Sequence, residues 1–191
     1  MTFEDIQVRP EVVRALKEIG IVEPTEIQKQ VIPHIHSGRD VIGMSKTGSG
    51  KTAAFGIPLV EAGTQALVLA PTRELAVQIA GELTKYGKYL DVEVATVYGG
   101  VAINPQMDAI KRSNIIVGTP GRILDHLSRN TLDLSALSTF VLDEADKMVD
   151  MGFIDDIRRI LDHTPVDQQM LLFGATLSND VEYIKHDYMH D

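Results

Sequence analysis

Val41-Ile42-Gly43-Met44-Ser45-Lys46-Thr47-Gly48-Ser49-Gly50-Lys51-Thr52-Ala53-Ala54-Phe55 is the stretch on which the fold turns. Val41–Met44 reads as a buried strand, and Ala53-Ala54-Phe55 reads as the start of a helix. Between them, Ser45–Thr52 forms a glycine-rich turn. Gly48 and Gly50 let the backbone aim its N–H groups inward with no Cβ in the way. The following helix adds its free N–H groups and the positive end of its dipole. Lys51 can reach β- and γ-phosphates, and the Thr52 hydroxyl suits Mg²⁺. The strict pattern Gly-x4-Gly-Lys-Ser/Thr is met except at Ser45, which replaces its first glycine.

The chain has 191 residues, enough for one domain with a sizeable core. No apolar run approaches the ~18 residues needed to span a bilayer. Met1-Thr2-Phe3-Glu4-Asp5 is acidic where a signal peptide is basic. These features predict a soluble, cytoplasmic protein with no membrane partner. The absence of cysteine excludes disulfides and thiolate metal sites. A net charge of −9 argues against a broad basic face for nucleic acid. Any such site must use a few directed contacts or helix N-termini, or lie partly on another domain.

Helical patterns near Pro10–Ile19 and Thr25–His36 precede a regular alternation. Strands are predicted at Val41–Met44, Leu67–Ala70, Glu93–Val97, Ile115–Val117, Phe140–Leu142 and Met170–Phe173. Helices are predicted at Lys51–Glu61, Arg73–Tyr89, Ile103–Arg112, Gly121–Arg129 and Phe153–Leu161. Most strands are continuous apolar runs, as expected when both faces are covered. The alternation implies an α/β fold, a parallel sheet with right-handed crossovers. Pro58 should kink or weaken the helix after the turn. Ligands in such sheets bind beyond the carboxyl ends of the strands, where the turn falls.

Asp143-Glu144-Ala145-Asp146 follows the apolar run Phe140-Val141-Leu142. Asp143 is suited to hold Mg²⁺, directly or through water. Glu144 can orient and deprotonate a water that attacks a γ-phosphorus. By itself the tetrapeptide reads equally well as an acidic helix N-terminus. Pro71-Thr72-Arg73 and Thr119-Pro120-Gly121-Arg122 each follow a strand and open a helix. Each supplies a hydroxyl, N-terminal N–H groups and an arginine, which contact phosphate without reading a base. Plain capping by Thr, with Pro at the first helical position, explains the same residues and is compatible with that role. Gly99-Gly100 is either a simple turn or a place for close backbone approach.

Taken together and in this order, these motifs make the chain resemble the first RecA-like domain of DEAD-box ATP-dependent RNA helicases, over essentially its whole length. Asp143–Asp146 is similar to the motif that names the family. Ser45–Thr52 resembles its phosphate-binding motif, which commonly has Ala at the Ser45 position. Pro71–Ala76, Gly99-Gly100 and Thr119–Arg122 resemble its RNA-contacting motifs. Pro24–Gln28 resembles its adenine-reading motif, with Phe3 at the place of that motif's isolated aromatic. The resemblance implies a RecA-like P-loop fold using ATP and Mg²⁺, with RNA and a second RecA-like domain as partners. It makes Lys51, Asp143 and Glu144 catalytic, and implies that Gln28 pairs with adenine while Phe3 stacks on it. Without it, Gln28 reads as an exposed helical glutamine and Phe3 as core.

One departure is visible. The family usually has Ser-Ala-Thr where this chain has Gly174-Ala175-Thr176. Its serine can bond the last Asp of the acidic motif, here Asp146, and that motif links the nucleotide site to strand separation. Glycine cannot make this bond, so coupling is expected to be weakened or rebuilt.

The resemblance further implies that this is an N-terminal fragment of 1–191, lacking the second domain and its arginine finger. Alone it should bind nucleotide weakly, hydrolyse it poorly and not unwind RNA. A P-loop ATPase of another class and a non-catalytic binding module on the same fold are the competing readings. His186 and His190 lack a third ligand and read as exposed histidines. Lys111-Arg112, Arg158-Arg159 and Asp155-Asp156 read as solvated faces.

Overall fold

The structure, a computed structural model, describes residues 1–46 and 48–190. Strands β1 (Val41–Met44), β2 (Ala66–Leu69), β3 (Val94–Val97), β4 (Ile115–Gly118), β5 (Thr139–Leu142) and β6 (Gln169–Gly174) form one parallel sheet. Their spatial order is β1-β6-β5-β2-β4-β3. In the central register, Leu67 pairs with Ile116 of β4 on one side and Phe140 of β5 on the other.

The apolar runs predict strands buried on both faces, and β2, β4 and β5 are buried throughout. Successive residues of β2 alternate between two cores. Ala66 and Val68 join one, packed with α1 (Pro10–Glu18), α2 (Glu26–His36), α3 (Lys51–Ala62) and α4 (Arg73–Tyr86). Leu67 and Leu69 join the other, packed with α5 (Asn104–Arg112), α6 (Pro120–Ser128), α7 (Ala145–Asp150), α8 (Ile154–Leu161) and α9 (Asn179–Tyr188). The fold is therefore the expected α/β architecture, with helices on both faces.

Differences from the expected elements are local. Helix α4 stops at Tyr86, where the hydrogen bonding tightens past its C-cap Gly87: Lys88 N–H donates three residues back, to Lys85 O at 3.3 Å. Helix α3 runs on through Pro58 to Ala62 as one helix, and the missing N–H falls on its buried length. The six residues of α7 are too few to show a helical period in sequence. Among the described residues, no helix is long and apolar enough to cross a membrane.

All six strands point the same way, so their carboxyl ends share one edge of the sheet. By spatial order, β1, β6 and β5 form one half of that edge and β2, β4 and β3 the other. The glycine-rich turn, Gly174–Thr176 and Asp143–Asp146 follow the first half. Pro71–Arg73, Thr119–Arg122 and Gly99-Gly100 follow the second.

Gly43 faces Phe173 across the β1–β6 pair. A Cβ at Gly43 would stand 2.6 Å from the Phe173 ring, which also packs on Phe55 with centroids 5.4 Å apart. Gly43→Ala should cost about 1–3 kcal/mol through overpacking. The cost should shrink in a Phe173→Leu background, read by urea unfolding of all four variants. Equal cost in both backgrounds would show that the ring does not set it.

Candidate functional site

The turn after β1 is anchored at its start by Ser45 N–H, which donates to Gly174 O at 3.0 Å. Gly48 and Gly50 have φ of +85° and +87°, the left-handed region that glycine enters without a Cβ penalty. Gly50 is the N-cap of α3, whose first turn holds no acidic residue to oppose an anion. Lys46 is exposed, and Thr47 lies outside the described residues. Thr52, half-buried, is the second residue of α3. Ser45 Oγ and Ser49 Oγ are buried with no partner among the described residues. A cradle of free N–H groups and unpaired hydroxyls fits a polyphosphate.

Lys51, 8 % exposed, reaches across from α3 to the end of β5. Its Nζ lies 3.1 Å from Asp143 Oδ1 and 3.5 Å from Glu144 Oε1. Asp143 is fully buried, and among the described residues neither of its oxygens accepts an aligned hydrogen bond. Burial pushes its carboxyl above the usual range, against the pull of Lys51. Glu144 caps α7 with φ 54° and ψ 50°, left-handed for a residue with a Cβ. Its Oε1 also lies 3.3 Å from Lys147 Nζ, an ion pair absent from the sequence reading. Among the described residues, no group of three or more His, Cys, Asp or Glu is arranged to hold a metal alone. The unsatisfied Asp143 oxygens and the Thr52 hydroxyl nonetheless fit Mg²⁺, a hard ion that keeps waters and shares phosphate oxygens.

Gln28 is 3 % exposed and is not the solvated glutamine that its helical position allows. Its Oε1 accepts from Thr25 N–H at 2.9 Å, and its Nε2 donates to Gly50 O at 3.0 Å. One lone pair and one N–H therefore remain for a ligand, a donor–acceptor pair on one amide edge. A groove of about 500 Å³ lies over it, lined by Gly20, Val22, Thr25, Gln28, Gly48 and Gly50 among others. Phe3 is not in that lining. At 1 % exposure its ring belongs to the core beside α1–α4 and offers no face for stacking, which corrects the expectation from its position. Burial of a large apolar ring outweighs exposing it.

On the other half of the edge, Thr72 caps α4, with Oγ1 accepting from Leu75 N–H, and Pro71 is buried behind it. Arg73 is exposed, with its guanidinium 4.7 Å from the centre of the Tyr98 ring. Thr119 is the N-cap of α6 without a side-chain capping bond, and Pro120 is its first helical residue. Gly99, Gly100 and Gly121 are exposed, and a Cβ on any of them would meet nothing within 4 Å. Arg122, expected as a phosphate contact, has its guanidinium held by other groups of the chain. Its Nη1 donates to Gln106 Oε1 at 3.1 Å and its Nη2 to Val101 O at 3.0 Å.

Asp146 meets the end of β6 without a serine. Its Oδ2 accepts from Ala175 N–H, Thr176 N–H and Thr176 Oγ1 at 3.2–3.3 Å. A Cβ at Gly174 would stand 2.9 Å from Asp146 Oδ1. The contact is rebuilt on backbone N–H groups and a threonine, and the glycine makes room for it. His186 is exposed, while His190 uses Nε2 on Val166 O. Lys111, Arg112, Arg159 and Asp155 are exposed as expected; Arg158 and Asp156 are half-buried.

Known proteins match the chain over essentially its whole length. The family model described as DEAD/DEAH box helicase matches residues 25–184. The chain is 48% identical over 197 residues to the DEAD-box ATP-dependent RNA helicase CshA of Geobacillus kaustophilus, covering all of this chain and 42% of that protein. It is 46% identical to the ATP-dependent RNA helicase DeaD of Mycobacterium tuberculosis, covering all of this chain and 35% of that protein. A crystal structure of a DEAD box protein from Methanococcus jannaschii superposes with a TM-score of 0.96 at 43% identity, over all of this chain and 54% of that one. The chain thus spans less than half the length of these two sequence relatives.

Two outcomes follow from the geometry. Gly48→Ala meets only backbone strain and should cost ~1–2 kcal/mol in thermal unfolding. Gly50→Ala adds a Cβ 2.6 Å from Gln28 Nε2 and 2.8 Å from Thr25 Oγ1, so it should cost more; equal costs would refute the contact. Asp143→Asn should raise Tm at neutral pH, because burial opposes ionisation of the carboxyl in the folded chain. A raised folded-state pKa means that protonation favours folding. The advantage of Asn should therefore fall as pH drops through the folded pKa of Asp143, and vanish below the unfolded value near 3.8. A pH-independent difference would rule this out.

Proposed function

The chain belongs to the DEAD/DEAH box helicase family, and on that premise we propose that it is the N-terminal, ATP-binding RecA-like domain of an ATP-dependent RNA helicase. The observation that carries the reading is Lys51 set between Asp143 and Glu144, where the turn after β1 meets the end of β5. This brings a phosphate-binding lysine and two carboxylates of different environment to one point. Asp143 is buried and proton-seeking, suited to a metal's water shell; Glu144 is at the surface of the cleft, suited to take a proton from water at its Oε1.

In this proposal, Gly48, Ser49, Gly50, Lys51 and Thr52 cradle the phosphates, with Ser45, Lys46 and Thr47 completing the loop. Thr52 and Asp143 would hold Mg²⁺, which would neutralise phosphate charge when bound. Lys51 exchanges its carboxylate partners for phosphate oxygens. Gln28 uses its remaining lone pair and N–H on adenine N6 and N7, an edge that guanine lacks. Its bond to Gly50 O ties base recognition to the phosphate loop. Phe3 supports this site from the core.

RNA lies along the other half of the edge. Thr72, Arg73, Thr119 and the N–H groups of α4 and α6 contact its sugar-phosphate backbone, and Pro71 and Pro120 set those helix starts. Gly99, Gly100 and Gly121 leave the surface bare for close approach. Such contacts carry little sequence preference, and 2′-hydroxyl contacts favour RNA. They also reconcile RNA binding with a net charge of −9. Asp146, with Gly174, Ala175 and Thr176, couples the two halves.

A second RecA-like domain supplies the arginine finger and closes the cleft. Without it, hydrolysis by residues 1–191 is expected to be slow, since such a finger is worth ~10³–10⁵ in rate. Titration calorimetry tests the nucleotide reading. Mg-ADP should bind more tightly than Mg-GDP, and Gln28→Glu, which loses the donor to N7, should remove the preference. Equal binding of both nucleotides to the unmodified chain would overturn the adenine reader.

A further inference from the structure

A buried polar cluster underlies the Gly99-Gly100 pair. Gln106 of α5, 7 % exposed, donates from Nε2 to Tyr98 O at 2.9 Å. Its Oε1 accepts from Arg122 Nη1 at 3.1 Å and lies 3.1 Å from His126 Nε2. Arg122 Nη2 donates in turn to Val101 O at 3.0 Å. The carbonyls immediately before and after the glycine pair are thus each held by a side chain, and the two holders are bonded to each other.

The proton order in this cluster is determined. Gln106 Nε2 is committed to a carbonyl, so its oxygen faces Arg122 and His126. An amide oxygen only accepts, so His126 carries its proton on Nε2. His126 Nδ1, 2.7 Å from Thr131 Oγ1, then accepts from that hydroxyl, which also lies 3.1 Å from His126 O and turns its one proton to the nearer nitrogen. Burial first, and the Arg122 cation second, hold the fully buried His126 below the usual histidine range, consistent with a neutral ring. Every member is satisfied, the condition under which a buried polar network rigidifies what it holds.

Above the cluster the surface is bare. Gly100 has φ +83°, and neither glycine has a neighbour within 4 Å of where a Cβ would stand. We propose that Gln106 is a positioning residue: with Arg122 it clamps Gly99-Gly100 in one conformation that offers bare backbone to a single RNA strand, while His126 orients its amide from below. The inference rests on the RNA-backbone reading of the two glycines. It moves Arg122 from a phosphate contact to a loop clamp.

The test uses the ¹⁵N-labelled chain, unmodified and as Gln106→Leu and Gln106→Glu. Glutamate keeps the acceptor for Arg122 and His126 but loses the donor to Tyr98 O, and it stands in should the leucine variant fold poorly. His126 in the unmodified chain should show the Nε2–H tautomer in its ring-nitrogen spectrum. It should keep that tautomer in Gln106→Glu. In both variants, the backbone ¹⁵N order parameters of Gly99, Gly100 and Val101 should fall from the rigid range at ~0.85 to below about 0.6, while β4 and β5 stay rigid. An Nδ1–H tautomer in the unmodified chain, or loop order parameters unchanged in the variants, overturns the clamp.

Titration with a short oligouridylate and Mg-nucleotide then separates the clamp from the reading beneath it. The Gly99 and Gly100 amides should shift in the unmodified chain, and the affinity should fall about tenfold in Gln106→Glu. Equal response in both proteins overturns the clamp and leaves the RNA reading standing. No response of these amides in the unmodified chain overturns the RNA reading of the glycines, and the proposal with it.

Discussion

Parallel pairing is the constraint from which the rest of this structure follows. A parallel strand must be followed by a crossover before the chain can pair again, so every carboxyl end finishes in a turn on the same edge. Each candidate group other than Gln28 and Phe3 lies in one of those turns or in the first turns of the helix that follows. Helix N-termini gather there too, and with them free N–H groups and positive dipole ends. An edge of this kind favours anions even on a chain whose net charge is −9.

Within that edge, strand order decides which groups meet. Residues 45–52 and 143–146 are distant in sequence, yet only β6 separates β1 from β5. Residues 174–176, at the end of β6, therefore sit between them, bonded to Ser45 on one side and Asp146 on the other. A change at the phosphate loop has a short covalent and hydrogen-bonded route to Asp146. The cost of this convergence is visible in Asp143, buried without an aligned donor among the described residues, and in Glu144, held left-handed. Unsatisfied polar atoms and strained backbone gathered at one point mark a place selected for chemistry rather than for stability.

Local chemistry was enough to read the turn, the acidic tetrapeptide and the two Thr-led helix starts, because each is a contiguous pattern whose backbone needs are set by its own residues. Side-chain partners were not legible. Gln28 reads as a solvated residue until Thr25 N–H and Gly50 O are seen to take its amide. Arg122 reads as a phosphate contact until Gln106 and Val101, from another crossover, are found beneath it. Gln106, His126 and Thr131 carry no motif, and only their convergence makes them a cluster. Phe3 reads two ways, and packing chose the core.

The amino-acid sequence by itself determined the α/β alternation, the glycine-rich turn between β1 and α3 and the family, since these rest on hydrophobic period, glycine placement and contiguous motifs. The tertiary structure alone decided that β6 inserts between β1 and β5, that Lys51 faces two carboxylates, and that Asp146 is held by Thr176 and backbone N–H groups in place of a serine. The reason is that strand order and buried hydrogen bonds depend on which distant segments come to lie side by side. That is settled by packing two cores at once across the sheet, and no local pattern encodes it.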